Sequence, residues 1–178
     1  MSTIDFFDPS ALCAPGAAPL PGRIGMTGAP GLEGSDPALA LAAIAALPAT
    51  TLVSLLPDAD LPVYRLRRLP ELAQAAGLVL VQHGIEDYAA PESLEATIAL
   101  VDAILARVER GETVVVHCGG GFGRTGTVAA CCLVRLGWGA VDAVAAVRAT
   151  RPGTIETAAQ EAFVARFAEG VLGVPRSG

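Results

Sequence analysis

Lysine is absent from this sequence: all 12 basic residues are arginines, set against 18 acidic residues, for a net charge of −6. The net charge is negative and the sequence has no basic run, so binding to nucleic acid or to an anionic membrane surface is not expected. Aromatic residues make up only 4% of the chain, so the core must consist mainly of Leu, Val, Ile and Ala. Because 52% of residues are apolar and 17% are charged, disorder along the whole chain is excluded. The 178 residues suit one domain with one sizeable core.

The sequence also lacks the patterns of secretion and membrane insertion. Residues 1–8 carry no basic segment followed by an apolar one, so a secretory leader is not expected. No uninterrupted apolar run reaches the roughly 18 residues that a membrane span needs, because charges and glycines interrupt even the stretch 127–147. Cys131 and Cys132 are adjacent in an apolar helical pattern, which is unlike a disulfide framework. We therefore expect reduced thiols in a cytoplasmic protein without a membrane span.

The order of predicted elements indicates an α/β domain. Prolines and glycines predict an irregular N-terminal arm at 1–22, followed by a single domain at 23–173 and a C-terminal tail at 174–178. β-branched and apolar runs predict strands at 23–27, 51–55, 78–81 and 113–116. Apolar periodicity and stop residues predict helices at 38–47, 69–76, 91–110, 140–149 and 157–172. A further apolar helix is predicted directly after a glycine-rich loop that follows the last strand. This alternation predicts a central, mainly parallel sheet flanked by helices on both faces.

That glycine-rich loop carries the strongest functional pattern. It places a cysteine and an arginine with five residues between them, and it lies between a buried strand and an apolar helix. From the composition of the chain, His-Cys followed at this spacing by Arg is expected roughly 0.003 times, so chance does not explain it. The loop consists of His117, Cys118, Gly119, Gly120, Gly121, Phe122, Gly123 and Arg124.

The residue types of this loop suit the binding of a phosphate dianion. Glycines let the backbone turn tightly and direct several N–H groups into one concavity, and the following helix adds its positive N-terminus. Arg124 brings a planar fork that fits two phosphate oxygens. The same donors stabilise a thiolate on Cys118, which is thereby activated and directed at the phosphorus. Phosphoryl transfer to sulfur would give a cysteinyl-phosphate.

The pattern resembles the cysteine-dependent protein tyrosine phosphatase superfamily. The resemblance implies that Cys118 is the nucleophile and that Arg124 binds the phosphate and the transition state. It implies that Thr125 donates a hydrogen bond to the departing sulfur and that His117 shapes the loop. The competing interpretations are an inert buried thiol at Cys118 and a simple ion-pair partner at Arg124.

The superfamily also uses a general acid, because the leaving oxygen needs a proton in the first step. The polar loop 82–91 follows an earlier strand, and we assign the acid to Asp87, with Glu86 as the second choice. The alternative is that Asp87 merely caps a helix beginning at Pro91. His83, in the same loop, is expected to pack against it or contact substrate.

The resemblance extends to the kinase-associated phosphatase branch, also called the cyclin-dependent kinase inhibitor 3 family. Four stretches match it in order: 24–31, 60–65, 83–87, and 119–124 with 129–131. Near the C-terminus, 151–160 resembles the Gln-Thr-x-x-Gln segment, whose first Gln positions water in tyrosine-specific members. Here that position is Glu156 while Gln160 is kept, so either could position water, or both could simply begin a helix. Arg148 and Arg151 are expected to be structural, although either could meet a substrate phosphate.

We therefore predict a phosphatase that needs no metal or cofactor and acts on a phosphorylated protein or a small phosphoester. The loop has no lysine between Cys118 and Arg124, unlike the phosphoinositide branch, and phosphotyrosine versus phosphoserine or phosphothreonine stays open. The alternatives are a phosphate-recognising module with little turnover and a Cys-loop sulfurtransferase or arsenate reductase. The composition, without lysine and rich in Ala, Gly and Pro, is typical of a high-GC bacterial genome. A resolving role for Cys131 or Cys132 in oxidation of Cys118 also stays open.

Overall fold

The computed structural model describes residues 3–7, 13, 18–47 and 49–174. Its strands are β1 (Asp5–Phe6), β2 (Arg23–Thr27), β3 (Ala49–Ser54), β4 (Val79–Gln82) and β5 (Thr113–His117). Its helices are α1 (Pro37–Ala45), α2 (Leu69–Ala75), α3 (Leu94–Glu109), α4 (Gly123–Arg135), α5 (Ala140–Thr150) and α6 (Ala158–Val171). Among these helices, none is long and apolar enough to cross a membrane.

A five-stranded sheet in the order β1-β2-β5-β3-β4 forms the centre of the domain. The last four strands in that order are parallel, and β1 pairs antiparallel with β2 at one edge. Thr27, His117 and Ser54 are register partners at the ends of β2, β5 and β3. The loop after the central strand β5 therefore starts in the middle of the carboxyl edge of the sheet, where parallel α/β proteins bind ligands.

Helices cover both faces of the sheet. The strand β5 explains why, because its valines alternate: Val114 and Val116 pack with the core under α3 to α6, and Val115 packs with the core under α1 and α2. A strand that is apolar on both faces must be covered on both sides. The predicted α/β class with a mainly parallel sheet is confirmed.

Two elements differ from the sequence-based expectations. Within the arm predicted to be irregular, Asp5 and Phe6 form β1 by pairing with Met26 and Gly25, because an edge strand this short depends on its partner rather than on a local pattern. Residues 1–2, 8–12 and 14–17 of that arm, and 175–178 of the predicted tail, lie outside the described residues. The helix expected from Pro91 begins at Leu94.

The residue that caps the N-terminus of α3 is Ser93, not Asp87. The Ser93 hydroxyl accepts a hydrogen bond from the Ala96 N–H at 3.1 Å and caps the helix. Asp87 lies seven positions before the first helical residue, so the alternative that it caps this helix is wrong.

Candidate active site

The glycine-rich loop packs directly against the end of β2. Gly121 has a φ of +80°, and a Cβ atom there would lie 2.4 Å from the carbonyl carbon of Thr27. The Ala29 N–H donates a hydrogen bond to the Gly119 carbonyl at 2.8 Å. Both the backbone conformation and the close approach therefore require glycine at position 121.

Cys118 lies at the start of this loop and is 3% exposed. The Gly121 N–H points at its Sγ atom, 3.3 Å away, so a backbone donor of the loop faces the sulfur. Thr125, in the first turn of α4, is fully buried, and its hydroxyl has no hydrogen-bond partner among the described residues.

His117 supports the loop from beneath as an uncharged side chain. It is fully buried, and its Nδ1 lies 3.0 Å from the carbonyl oxygen of Cys118. Because that oxygen can only accept, Nδ1 is the protonated nitrogen. Burial lowers the pKa of His117 to about 4, outweighing the hydrogen bond to Cys118, and Arg124 lowers the pKa further. The ring therefore stays neutral at physiological pH and acts on backbone shape rather than as a charge.

Arg124 joins the loop to the predicted acid. Its guanidinium is 3% exposed and lies 2.8 Å, Nη2 to Oδ1, from the carboxylate of Asp87. Its Nη1 donates to the Ile85 carbonyl at 3.0 Å and lies 3.5 Å from Oδ2 of Asp60. Glu86 is exposed and makes no such contact with Arg124. The chain thus brings Asp87, the first choice for the acid, to the arginine of the loop.

Glu156 and Gln160 occupy different places beside this loop. The carboxylate of Glu156 accepts a hydrogen bond from the Gly123 N–H at 2.8 Å, where α4 begins. Gln160 is fully buried, and its Oε1 accepts from the N–H groups of Glu156 at 2.9 Å and Thr157 at 3.3 Å. With Thr157 it forms a capping box at the start of α6. Both side chains lie against Gly123, and Glu156 is the one of the pair that hydrogen-bonds to the loop.

Residues 39–164 match the family model described as the Swiss Army Knife protein DSP-PTPase phosphatase domain, PTP-SAK. The chain belongs to this family. The predicted superfamily and a cysteine-dependent phosphatase domain are thereby confirmed.

Relatives of this phosphatase domain include proteins of very different length. Protein tyrosine phosphatase domain-containing protein 1 of Danio rerio is 37% identical over 101 residues, which are 56% of this chain but 14% of that protein. The chain thus spans about a seventh of the length of that curated relative. The solved structure of Tk-PTP in its active form is 30% identical, with a TM-score of 0.71 over 83% of this chain and 92% of that one. Kinase associated phosphatase, solved with its catalytic-site cysteine replaced by serine, has a TM-score of 0.85 over 98% of both chains at 19% identity, which shows a shared fold.

Two residues of the phosphatase site, Asp60 and Tyr64, have no signal of their own in the sequence. Both come from the turn-rich segment after β3, whose residues stand out only through the resemblance to the phosphatase branch. A Cβ atom on Gly119 would lie 2.2 Å from the Tyr64 hydroxyl, so this ring closes over the first glycine of the loop. Burial raises the pKa of Tyr64, against the opposing effect of Arg124, and the phenol stays protonated.

The two C-terminal arginines flagged earlier have structural contacts. Arg151 donates to the Gly120 carbonyl at 3.2 Å, pairs with Asp5 of β1 and lies over the Phe122 ring, 4.5 Å from its centroid. Arg148 donates to two carbonyls of the segment before α6 and pairs with Glu161. Arg151 therefore holds the outer side of the glycine-rich loop.

Proposed function

We propose that this chain hydrolyses phosphomonoesters without a metal, through a cysteinyl-phosphate intermediate. The observation that carries the proposal is a contact between two loops. The buried guanidinium of Arg124, from the glycine-rich loop that also carries Cys118, touches the exposed carboxylate of Asp87 from the loop after β4. This proximity of Cys118, Arg124 and Asp87 supports the proposal, because catalysis by positioning needs nucleophile, phosphate-binding group and acid close together. A phosphate-recognising module would not need the acid, and the family match disfavours a sulfurtransferase or arsenate reductase.

The reaction runs in two steps. In the first, the thiolate of Cys118 attacks phosphorus, the bond from phosphorus to the leaving oxygen breaks, and Asp87 gives that oxygen its proton. Arg124 binds two non-bridging oxygens and stabilises their charge in the transition state. In the second step, water attacks phosphorus, its proton passes to Asp87, and the sulfur leaves while Thr125 donates a hydrogen bond to it.

Glu156 is better suited than Gln160 to position the water of the second step. Its carboxylate accepts the Gly123 N–H at the mouth of the loop, and its side chain is exposed. Both polar atoms of Gln160 are engaged, its Oε1 in the helix cap and its Nε2 with a backbone carbonyl.

The test of the chemistry is turnover of an aryl phosphate in the presence of EDTA. We expect Cys118→Ser to abolish activity, because a hydroxyl lacks the nucleophilicity of a thiolate. Arg124→Lys should also fail, because an ammonium cannot make the two-pronged contact. Undiminished turnover by the serine variant would refute the covalent mechanism.

The acid is tested with a series of leaving groups. Asp87→Asn should lower kcat by roughly 10²–10⁴-fold on an alkyl or phenolic phosphate and far less on an aryl phosphate with an acidic leaving group. Glu86→Gln is the matched control and should change little, because Glu86 is exposed and makes no ion pair with Arg124. If the control shows the leaving-group effect and Asp87→Asn does not, the acid is Glu86.

The surface beside the cleft supports a phosphorylated protein with acidic flanking residues as the substrate. Arg65, Arg67 and Arg68 are exposed, follow Tyr64 directly in the chain and make no ion pair with any described residue. In a chain of net charge −6, three exposed arginines that follow Tyr64 closely in the chain favour anionic groups.

A phosphopeptide panel tests this preference. Replacing Arg65, Arg67 and Arg68 by Gln should lower kcat/KM for peptides with acidic flanks and leave an aryl phosphate unchanged. Arg166→Gln is the control, because this exposed arginine lies over Phe163 on α6. Equal loss on neutral and acidic peptides would contradict the preference.

The cellular setting is inferred from composition and thiol chemistry. Cys118, Cys131 and Cys132 form no disulfide within the described part of the chain, and a reducing compartment keeps a cysteine nucleophile in its active thiol form. The absence of lysine and the abundance of Ala, Gly and Pro support a high-GC bacterial source. The acidic net charge supports a partner other than nucleic acid. The chain is thus proposed as a cytoplasmic bacterial phosphatase.

A further inference from the structure

The loop that carries Asp87 is held by two side chains from the start of α6. The Thr157 hydroxyl donates to the Tyr88 carbonyl at 3.3 Å, and Nε2 of Gln160 donates to the Ala89 carbonyl at 3.1 Å. These carbonyls belong to the two residues that follow Asp87. Two hydrogen bonds between residues about 70 positions apart in the chain therefore hold the backbone immediately after the proposed acid.

The direction of the Gln160 side chain is set by the helix cap. Its Oε1 accepts the N–H groups of Glu156 and Thr157, so its Nε2 must point the other way, toward Ala89. A glutamate serves in a capping box as well as a glutamine does, since the cap uses only an acceptor. The amide nitrogen therefore does something that the cap does not require. The same holds for the Thr157 hydroxyl, because a cap needs its oxygen but not its proton.

The backbone at Tyr88 needs outside support. Tyr88 has a φ of +57°, a left-handed conformation that costs a non-glycine residue roughly 1–2 kcal/mol. Its N–H donates to Oδ1 of Asp87 at 3.1 Å, so this turn directs the carboxylate toward Arg124. Such a conformation persists where the surroundings maintain it, and the two bonds from α6 supply that support.

We propose that Thr157 and Gln160 form an acid-loop latch that keeps the carboxyl of Asp87 within reach of Arg124 during the proton-transfer step. Both are positioning residues, because they act through the backbone of Tyr88 and Ala89. The latch is itself anchored to the phosphate-binding loop, since Glu156, next to Thr157, accepts the Gly123 N–H. The inference rests on the proposed function and assigns Gln160 a role in the first chemical step rather than in water positioning.

Variants that keep the helix cap but remove one donor test the latch. Gln160→Glu keeps the cap acceptor and loses the amide donor to Ala89. Thr157→Asp keeps the cap acceptor and loses the hydroxyl donor to Tyr88. Thr157→Ser keeps both functions and is the matched control.

The measurement is kcat/KM over a series of aryl phosphates of rising leaving-group pKa, with Asp87→Asn as the reference for complete loss of the acid. We expect Gln160→Glu and Thr157→Asp to lose about 10- to 100-fold on the poorest leaving group and less than about twofold on the most acidic one. Thr157→Ser should follow the wild type. An added negative charge repels every member of the series equally, and partial unfolding also lowers every rate equally, so neither changes the slope.

The outcomes separate the latch from the function on which it rests. Suppose that Asp87→Asn steepens the dependence of kcat/KM on leaving-group pKa while both latch variants keep the wild-type slope. The latch is then overturned and the assignment of Asp87 as the acid stands. If Asp87→Asn has no effect on the slope, the acid assignment fails and the latch fails with it. Should the buried carboxylate of Gln160→Glu prevent folding, the pair Thr157→Asp and Thr157→Ser decides the question alone.

Discussion

The neutral, buried imidazole of His117 should make this protein lose stability as the pH falls below neutrality. In the folded chain the pKa of His117 is lowered to about 4 by burial, whereas the ordinary value of 6.5 applies after unfolding. Above pH 6.5 both states are neutral and the group contributes no difference. Below it, the unfolded chain binds a proton that the folded chain refuses, so the free energy of unfolding decreases.

The size of this effect follows from the two pKa values. Between about pH 7.5 and about pH 5, the linkage amounts to about 2 kcal/mol, and it approaches about 3 kcal/mol near pH 4. Against a typical total of about 5–15 kcal/mol, such a loss is readily measured. Burial also lowers the pKa of His83, which adds to the loss with the same sign.

Urea unfolding at several pH values, compared between the wild type and His117→Asn, isolates the contribution. The asparagine amide can still donate to the Cys118 carbonyl but does not titrate, so a cavity lowers its stability by the same amount at every pH. His83 and the carboxylates remain in both proteins and cancel in the comparison. We expect the wild type to lose about 2 kcal/mol more than the variant between about pH 7.5 and about pH 5. Equal losses would refute the assignment of His117 as a neutral side chain.

Three further predictions concern the structure around the site. Gly121→Ala should destabilise the loop by more than about 1 kcal/mol and remove activity, whereas Gly120→Ala, which meets only the Phe122 ring, should be tolerated in thermal unfolding and kinetic assays. The two buried thiols in the middle of α4 should resist alkylation at pH 8 until urea is added, as mass spectrometry would show, because burial raises the pKa of Cys132 to about 12. Arg135→Met should cost about 3–5 kcal/mol in urea unfolding, because it leaves the carboxylate of Asp102 buried without its guanidinium, and a change below 1 kcal/mol would contradict this.

The features that could be predicted from sequence are those encoded by neighbouring residues. The valine run of β5, the glycines after it and the apolar α4 form one continuous pattern, so the central strand, the loop and its helix are where they were expected. Features that depend on distant pairing could not be found in this way. β1 exists because Asp5 lies opposite Met26, and no property of two residues alone announces that.

The loop that carries Asp87 also combines features that neighbouring residues predict with features that depend on distant contacts. Its carboxylates could be named because the loop is polar and follows a strand, but the choice between Asp87 and Glu86 needed the contact with Arg124. The extra carboxylate at Asp60 lies 64 positions from that arginine and has no spacing rule to reveal it. The start of α3 was misplaced because proline often opens a helix, and here the Ser93 cap, two residues further on, determines the first turn.

The bond between Asp5 and Arg151 makes the shape of the catalytic loop depend on an edge strand 146 positions away in the chain. Arg151 in turn grips the Gly120 carbonyl, so a deletion through Asp5 would loosen the loop from the outside without touching any reacting group. Domain boundaries drawn for recombinant expression should therefore retain β1, and an affinity tag is better joined at the opposite terminus. A fragment beginning at β2 would keep every residue of the proposed chemistry and still bind phosphate less well.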